Sequence, residues 1–249
     1  MSARPRRSHS DQAGISRRGP EQPLSRDRIV QTALALVDDE GLAALSMRRL
    51  AAVLGVDPMA IYYYLPNKSA LEDAIVEAIV YDTEGPSLAL RPSVYEFIIG
   101  AGRAYRAALL RHQRALPLVV NRNLATPQGL KVLDNMLGLF VEAGMTSPEG
   151  VATLNVFAIY VEGAALKESL RPEQPPVEDH DGLRRMQDAL PPAEFPNLTR
   201  AMAGGKMMDP EEEFEFGLQA LAQGLSEVAG HRKARKGRAT PQAAKEKTK

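Results

Sequence analysis

The chain has 249 residues, 44% of them apolar, no cysteine and equal numbers of basic and acidic side chains. That length holds one large domain or two smaller ones, and the absence of cysteine excludes a disulfide framework and fits a reducing, cytoplasmic setting. No apolar run reaches the roughly 18 residues of a membrane span: the longest, Val151 to Leu166, is broken by Asn155 and Glu162. The arginines near the start have no apolar stretch behind them, so no signal peptide is read there.

Zero net charge conceals an asymmetry. Residues 1–28 carry seven arginines against three carboxylates, and residues 231–249 carry eight Lys/Arg against one, which leaves about −11 on residues 29–230. Basic ends on an acidic body suit a polyanion held at the ends and repelled by the middle.

Residues 1–24 are rich in Arg, Ser, Gly and Pro without periodicity and read as a disordered basic arm. Such an arm either lies along phosphates or enters a minor groove, or is a solvated tail with no fixed partner. From Ser25 an N-capped helix runs to Glu40, with Ile29, Ala33, Leu36 and Val37 as its apolar stripe and Gly41 as its stop. Ser46 caps the next helix, where Leu50, Val53 and Leu54 are expected to face a small core, and Gly55 stands where a sharp turn needs positive φ. Asp57-Pro58 restarts a helix, with Asp as N-cap and Pro at the first helical position. Pro66 ends that helix, and Asn67 caps the next one.

This is a helix-turn-helix layout, whose second helix can enter a DNA major groove. Ile61 and Leu65 suffice to anchor so short a helix. Met59, Ala60, Tyr62, Tyr63 and Tyr64 are then left to point elsewhere, and three successive tyrosines cannot share one buried side at 100° per residue. They are either half-buried packing residues or groups for a duplex: phenols donate to phosphate oxygens, and Met59 and Ala60 suit thymine methyls.

Residues 25–80 resemble the DNA-binding domain of the tetracycline-repressor (TetR) family of bacterial transcription regulators. The likeness rests on Ile29, Ala33 and Leu36-Val37, on Gly41, on Leu45 through Ala51, on Leu54-Gly55-Val56, on Ile61 through Leu65, and on Asn67-Lys68 with Ala70-Leu71. The resemblance implies that Ser46 and Arg48 open their helix near the backbone and groove edge. It puts Pro58, Met59, Ala60 and Tyr63 at bases or methyls, and Tyr62, Tyr64 and Lys68 at phosphates of double-stranded operator DNA.

The helix from Asn67 to about Thr83, with Leu71, Ala74, Ile75, Ala78 and Ile79 on one face, joins this reading head (25–84) to the rest and is the natural lever between them. Residues 85–230 read as an all-α body, with no alternating strand pattern. Helices are expected over Pro92 to Arg114, Leu116 to Leu124, Pro127 to Ala143, Pro148 to Leu170 and Pro210 to Ala229, with short ones near 182–190 and 197–203. Thr126-Pro127, Ser147-Pro148 and Asp209-Pro210 repeat the cap-then-Pro start. Arg171 to His180 reads as a mobile acidic loop, Gly204-Gly205 as a hinge, and 231–249 as a disordered basic tail.

Two body helices carry heptad seams. Val151, Leu154, Ala158, Val161 and Ala165 form one; Phe214, Leu218, Leu221, Leu225 and Val228 form the other. Gly163, Gly217 and Gly224 lie mid-helix, where each costs roughly 1 kcal/mol against Ala, and close helix approach would explain them. One seam could serve the core; two invite a four-helix interface with a second copy. The final helix also resembles that of tetracycline-repressor-type C-terminal domains, which dimerise in this way. The expected interface is therefore Leu154, Ala158, Val161, Phe214, Leu218, Leu221 and Leu225 of a homodimer.

The resemblance further implies a pocket for a small-molecule effector in the body. The candidate lining residues are Tyr105, Asn121, Asn123, Phe140, Asn155, Tyr160 and Met202. Tetracycline repressors hold the drug's magnesium with a histidine in the segment matching Leu118 to Leu124; this chain has none there, so tetracycline–magnesium is not expected. His9, His112, His180 and His231 are dispersed, His112 reads as a helix-end residue, and no constellation points to a metal, a cofactor or catalysis. The expected activity is that of a repressor released from a palindromic operator by a small molecule; the alternative is a helical ligand- or partner-binding protein that retains the DNA-binding layout.

Overall fold

The computed structural model describes residues 23–83, 87–122, 126–171, 189–203 and 209–238. Among these the chain forms ten α-helices and no strand: α1 (Arg26–Glu40), α2 (Met47–Leu54), α3 (Pro58–Tyr64), α4 (Lys68–Tyr81), α5 (Val94–Arg111), α6 (Leu116–Val120), α7 (Pro127–Glu142), α8 (Ser147–Ser169), α9 (Pro196–Ala203) and α10 (Pro210–Arg238). Most of residues 1–24, the acidic stretch to His180, most of the helix expected near 182–190, Gly204-Gly205, Asn123 and residues 239–249 lie outside the described part.

Each helix of the head begins on a side chain that satisfies an orphan backbone donor. Ser25, Ser46, Asp57 and Asn67 accept from Arg28, Arg49, Met59 and Ala70 respectively. Gly55 ends α2 in the left-handed region (φ 70°), as the tight turn requires. Ile29, Ala33 and Val37 of α1 meet Leu45, Leu50, Ile61, Leu71 and Ile75 in a closed apolar core. Val53 is not part of it: it is half exposed, and Met47, Ala51 and Leu54 accompany Leu50 instead. Those four span about 100° of the helix, and Val53 lies some 60° beyond Leu50, outside that arc.

The head joins the body through α4 and a set of polar contacts. His112 ends α5, and its Nδ1 lies 2.8 Å from Asp38 Oδ2 of α1. Arg114 donates to the Asp39 carbonyl, Arg111 pairs with Asp82, and Arg26 Nη2 meets the buried Glu77 at 3.1 Å. α5 is shorter than its apolar pattern predicts, because a capping box of Ser93 and Glu96 fixes its start and a 3-10 turn follows His112. α6 likewise stops at Val120. Thr146, not Ser147, caps α8, again in a capping box with Glu149. α10 runs on past Gly230 to Arg238; one exposed glycine costs only about 1 kcal/mol, and the basic residues beyond it suit a helix C-terminus.

α5, α8 and α10 pack together, with α7 against α8. Phe97 meets Phe140 edge-on at 5.7 Å, and Tyr160 stacks on Phe214 while donating to its carbonyl at 2.7 Å. Arg103 grips Glu215 with two bonds of 2.6 Å, and the nearly buried Arg106 lies over the Phe214 ring and pairs with Glu168 and Glu211.

The two heptad seams need correction. Val161, Phe214 and Leu218 are buried in their own protomer, and Leu225 packs partly against the same core. Leu154 and Ala158 line a cavity of the same protomer. The 3–4 spacing is common to packing within a chain and between chains, so it locates an apolar stripe without saying which partner covers it. On α8 the outward stripe lies on the opposite side: Ala152, Val156, Ile159, Gly163, Leu166 and Leu170, spaced 4, 3, 4, 3, 4, with Ile159 71% exposed. On α10, Ala220, Gly224 and Val228 are exposed beside the partly buried Leu221. Gly217 is explained internally, since a Cβ there would stand 2.3 Å from the Tyr160 hydroxyl. Gly163 and Gly224 face open space in the single protomer.

Candidate nucleic-acid interface and effector cavity

α3 is seven residues long and is held by two anchors, Ile61 and Leu65, exposed 0% and 3%. Everything else on it faces outward to some degree. Met59 is 72% and Tyr63 85% exposed, Tyr62 and Tyr64 are exposed to a lesser extent, and Pro58 and Ala60 are half-buried. Tyr63 meets Tyr64 edge-to-face at 5.2 Å, so the pair is stiffer than two free phenols. The Tyr64 hydroxyl already donates to the Leu24 carbonyl at 2.9 Å, which ties the chain entering α1 to the exposed face of α3. The sequence carries no signal for that bond, because 40 residues separate its ends.

Ser46 and Arg48 are exposed at the start of α2, with the Ser46 hydroxyl engaged as the cap. Arg49 instead pairs with Glu40, whose carboxyl is held low by that guanidinium. Lys68 opens α4, and its Nζ lies 3.6 Å from Glu72. The chemistry on offer is therefore phenol donors, apolar tips and a lysine around a narrow helix, which is a complement to phosphate, thymine methyl and base edge.

Of the expected pocket residues that the structure describes, only Tyr105 and Asn155 come to one cavity, of about 530 Å³, between α4, α5, α6, α7 and α8. Its walls are mostly apolar, from Val76 and Val80 of α4 to Leu133 and Met136 of α7 and Phe157 of α8. Phe140 is fully buried core, and the Asn121 side chain turns back to donate to the Pro117 carbonyl at 2.7 Å. Tyr160 belongs to a separate hollow beside α10, and Met202 is buried on α9. Among the described residues no cluster of His, Asp and Glu is arranged to hold a metal.

Two charged cavity residues, Glu162 and Arg122, were not among the expected ones. Glu162 accepts from the Tyr105 hydroxyl at 2.8 Å, and burial pushes both groups up, the carboxyl despite that hydrogen bond. The available signal was the lone charge in the apolar run Val151 to Leu166, since a charge is kept inside only when something compensates it. Arg122 reaches from the end of α6 to α4: it bonds Glu72, Asp73 and, at 3.2 Å, the Ser69 hydroxyl. Glu72 thus stands between Arg122, which lines the cavity, and Lys68, which borders α3.

Comparison with known proteins agrees with this architecture. Residues 29–75 match the family model for bacterial regulatory proteins of the tetR family, and residues 92–229 match that for the tetracyclin repressor-like C-terminal domain. The HTH-type transcriptional repressor DrrR1 of Streptomyces coeruleorubidus is 30% identical over 227 residues, covering 87% of this chain and 82% of that protein. The class A tetracycline repressor from transposon 1721 of Escherichia coli is 28% identical over 204 residues, covering 82% and 91%. Among solved structures, apo ActR of Streptomyces coelicolor superposes with a TM-score of 0.71 at 29% identity, over 84% of this chain and 98% of ActR. ActR bound to actinorhodin gives 0.70 over 84% and 100%.

Proposed function

The chain belongs to the TetR family of bacterial regulatory proteins, and on that premise we propose that it uses the exposed face of α3 to hold operator DNA and the cavity behind α4 to sense a small molecule. It is a homodimeric, DNA-binding transcriptional repressor. Double-stranded operator DNA, a second copy of itself and a small-molecule effector are its partners. Its family consists of regulators, and no catalytic role is proposed; no helix of the described residues is long and apolar enough to cross a membrane, and a site of action on cytoplasmic DNA accords with the reading.

One observation carries the reading: α3 presents Met59, Tyr62 and Tyr63 to solvent and none of them packs on the body. Tyr63, Met59, Pro58 and Ala60 are assigned to base edges and methyls; Ser46, Arg48, Tyr62, Tyr64 and Lys68 to the backbone. Two copies of α3, about one helical turn or roughly 34–36 Å apart, would enter successive major grooves. The dimer face is assigned to the outward stripes of α8 and α10, where Gly163 and Gly224 permit close approach. ActR is known bound to (S)-DNPA and to actinorhodin; in this chain the corresponding role falls to the cavity with Tyr105, Asn155 and Glu162. Effector seated there reaches Arg122 and through it the start of α4, and only a ligand that favours one α4 arrangement shifts DNA affinity.

A gel shift tests the reading. Full-length protein should retard DNA taken from upstream of its own gene in the presence of excess unrelated DNA. Equal retardation of both DNAs would refute operator recognition.

A further inference from the structure

We propose that the cavity takes an amphipathic organic cation, an apolar body bearing a protonated or quaternary amine, with Glu162 as its counter-ion. The inference rests on reading the cavity as the effector site and adds the chemical class of the effector.

Among the described residues the charges lining the cavity are Arg122 and Glu162. Arg122 is already neutralised by Glu72 and Asp73. Glu162 meets no cation among the described residues: its hydrogen-bond partner is the Tyr105 phenol, an uncharged donor. A partly buried carboxylate with one neutral donor is under-compensated, and an incoming ammonium supplies what the fold leaves out. Beside it the Tyr105 and Phe157 rings lie nearly parallel at 6.4 Å, which offers aromatic faces of the kind that attract ammonium groups. The remaining walls are mostly aliphatic, with Tyr81, Thr83 and Asn155 among them, and about 530 Å³ is the size of a drug-like ligand's site. An anion would suffer the opposite fate: it would lie against Glu162 and would have to draw Arg122 away from two carboxylates. The net negative charge of residues 29–230 adds a long-range bias in the same direction.

The test uses full-length protein without DNA, in equilibrium dialysis near neutral pH, with crystal violet as lipophilic cation and anilinonaphthalene sulfonate as lipophilic anion. Wild-type protein should hold the cation at least about tenfold more tightly than the anion. Glu162→Gln should lose about tenfold in cation affinity and hold the sulfonate as well as before or better, which also reports an intact cavity. The proposal is overturned if wild-type protein holds the sulfonate as tightly as the cation, a comparison that needs no variant to fold. It is equally overturned if a folded Glu162→Gln retains the cation within about twofold. DNA binding is measured separately: protein that prefers the cation but ignores its upstream DNA upholds this proposal and refutes the regulator reading.

Discussion

The head and the body use the same material differently. In the head, α2 and α3 each have one apolar stripe: α2 turns Met47, Leu50, Ala51 and Leu54 inward, α3 turns Ile61 inward with Leu65 as its cap, and the other side of each is largely exposed. α8 has two stripes, one around Phe157, Val161 and Ala165 in the core and another along Val156, Ile159 and Gly163 in solvent. A helix with one stripe has one way to be buried. A helix with two must divide them between its own core and something else, and its sequence alone does not say which goes where.

The sharpest way to break that comparison is a charge on each stripe of α8. Val161→Glu should unfold the protomer, since an unpaired carboxylate in a closed core costs several kcal/mol. Ile159→Glu should leave the protomer folded and convert the dimer to monomers. Circular dichroism with analytical ultracentrifugation separates the two outcomes, and a folded monomer from Val161→Glu would reverse the assignment of the stripes.

A smaller effect is expected where the regions meet. Arg122→Ala leaves Glu72 and Asp73 without their shared cation, at a cost of roughly 1–3 kcal/mol. Hydrogen exchange should quicken in the first turns of α4 and stay unchanged in α2. Uniform protection in both would show that Arg122 does not tie cavity to head.

Within the body, pH sharpens the contrast further. Burial raises the Glu162 carboxyl above its ordinary value, so the folded state binds this proton more readily than the unfolded chain. Stability contributed by this site therefore rises as pH falls through the raised folded pKa toward the ordinary value, and is lost again as pH climbs. Glu162→Gln should melt higher than wild type at neutral pH and show a flatter profile on the acid side. A variant that tracks the wild-type profile throughout would place Glu162 in water.

The smallest effect belongs to the head's periphery. Lys68→Ala should melt as wild type does, weaken binding to all DNA alike, and flatten the salt dependence by about one unit. An unchanged slope would remove Lys68 from the phosphate contacts.

The head is legible in the sequence because its signals are local. Caps at Ser25, Ser46, Asp57 and Asn67, the turn at Gly55 and the anchors Ile61 and Leu65 all act within a few residues. Val53, expected in the core, falls outside it because a spacing of three fits either edge of a stripe. In the body the helices can be located, but Tyr105 and Asn155 come to the cavity while Phe140 and Asn121 do not. That division depends on how α5, α7 and α8 cross, and crossing angles are not written in any single helix. The pairings of Arg122 and Glu162 are hidden for the same reason: their partners, Glu72, Asp73 and Tyr105, lie about fifty residues away.

The affinity of Tyr63→Ala for the upstream DNA fragment, measured by fluorescence anisotropy beside its melting temperature, tests the presented face of α3 most directly. The expected result is wild-type melting with affinity reduced at least about tenfold. A variant that melts normally and binds as wild type does would contradict the assignment of that face to DNA.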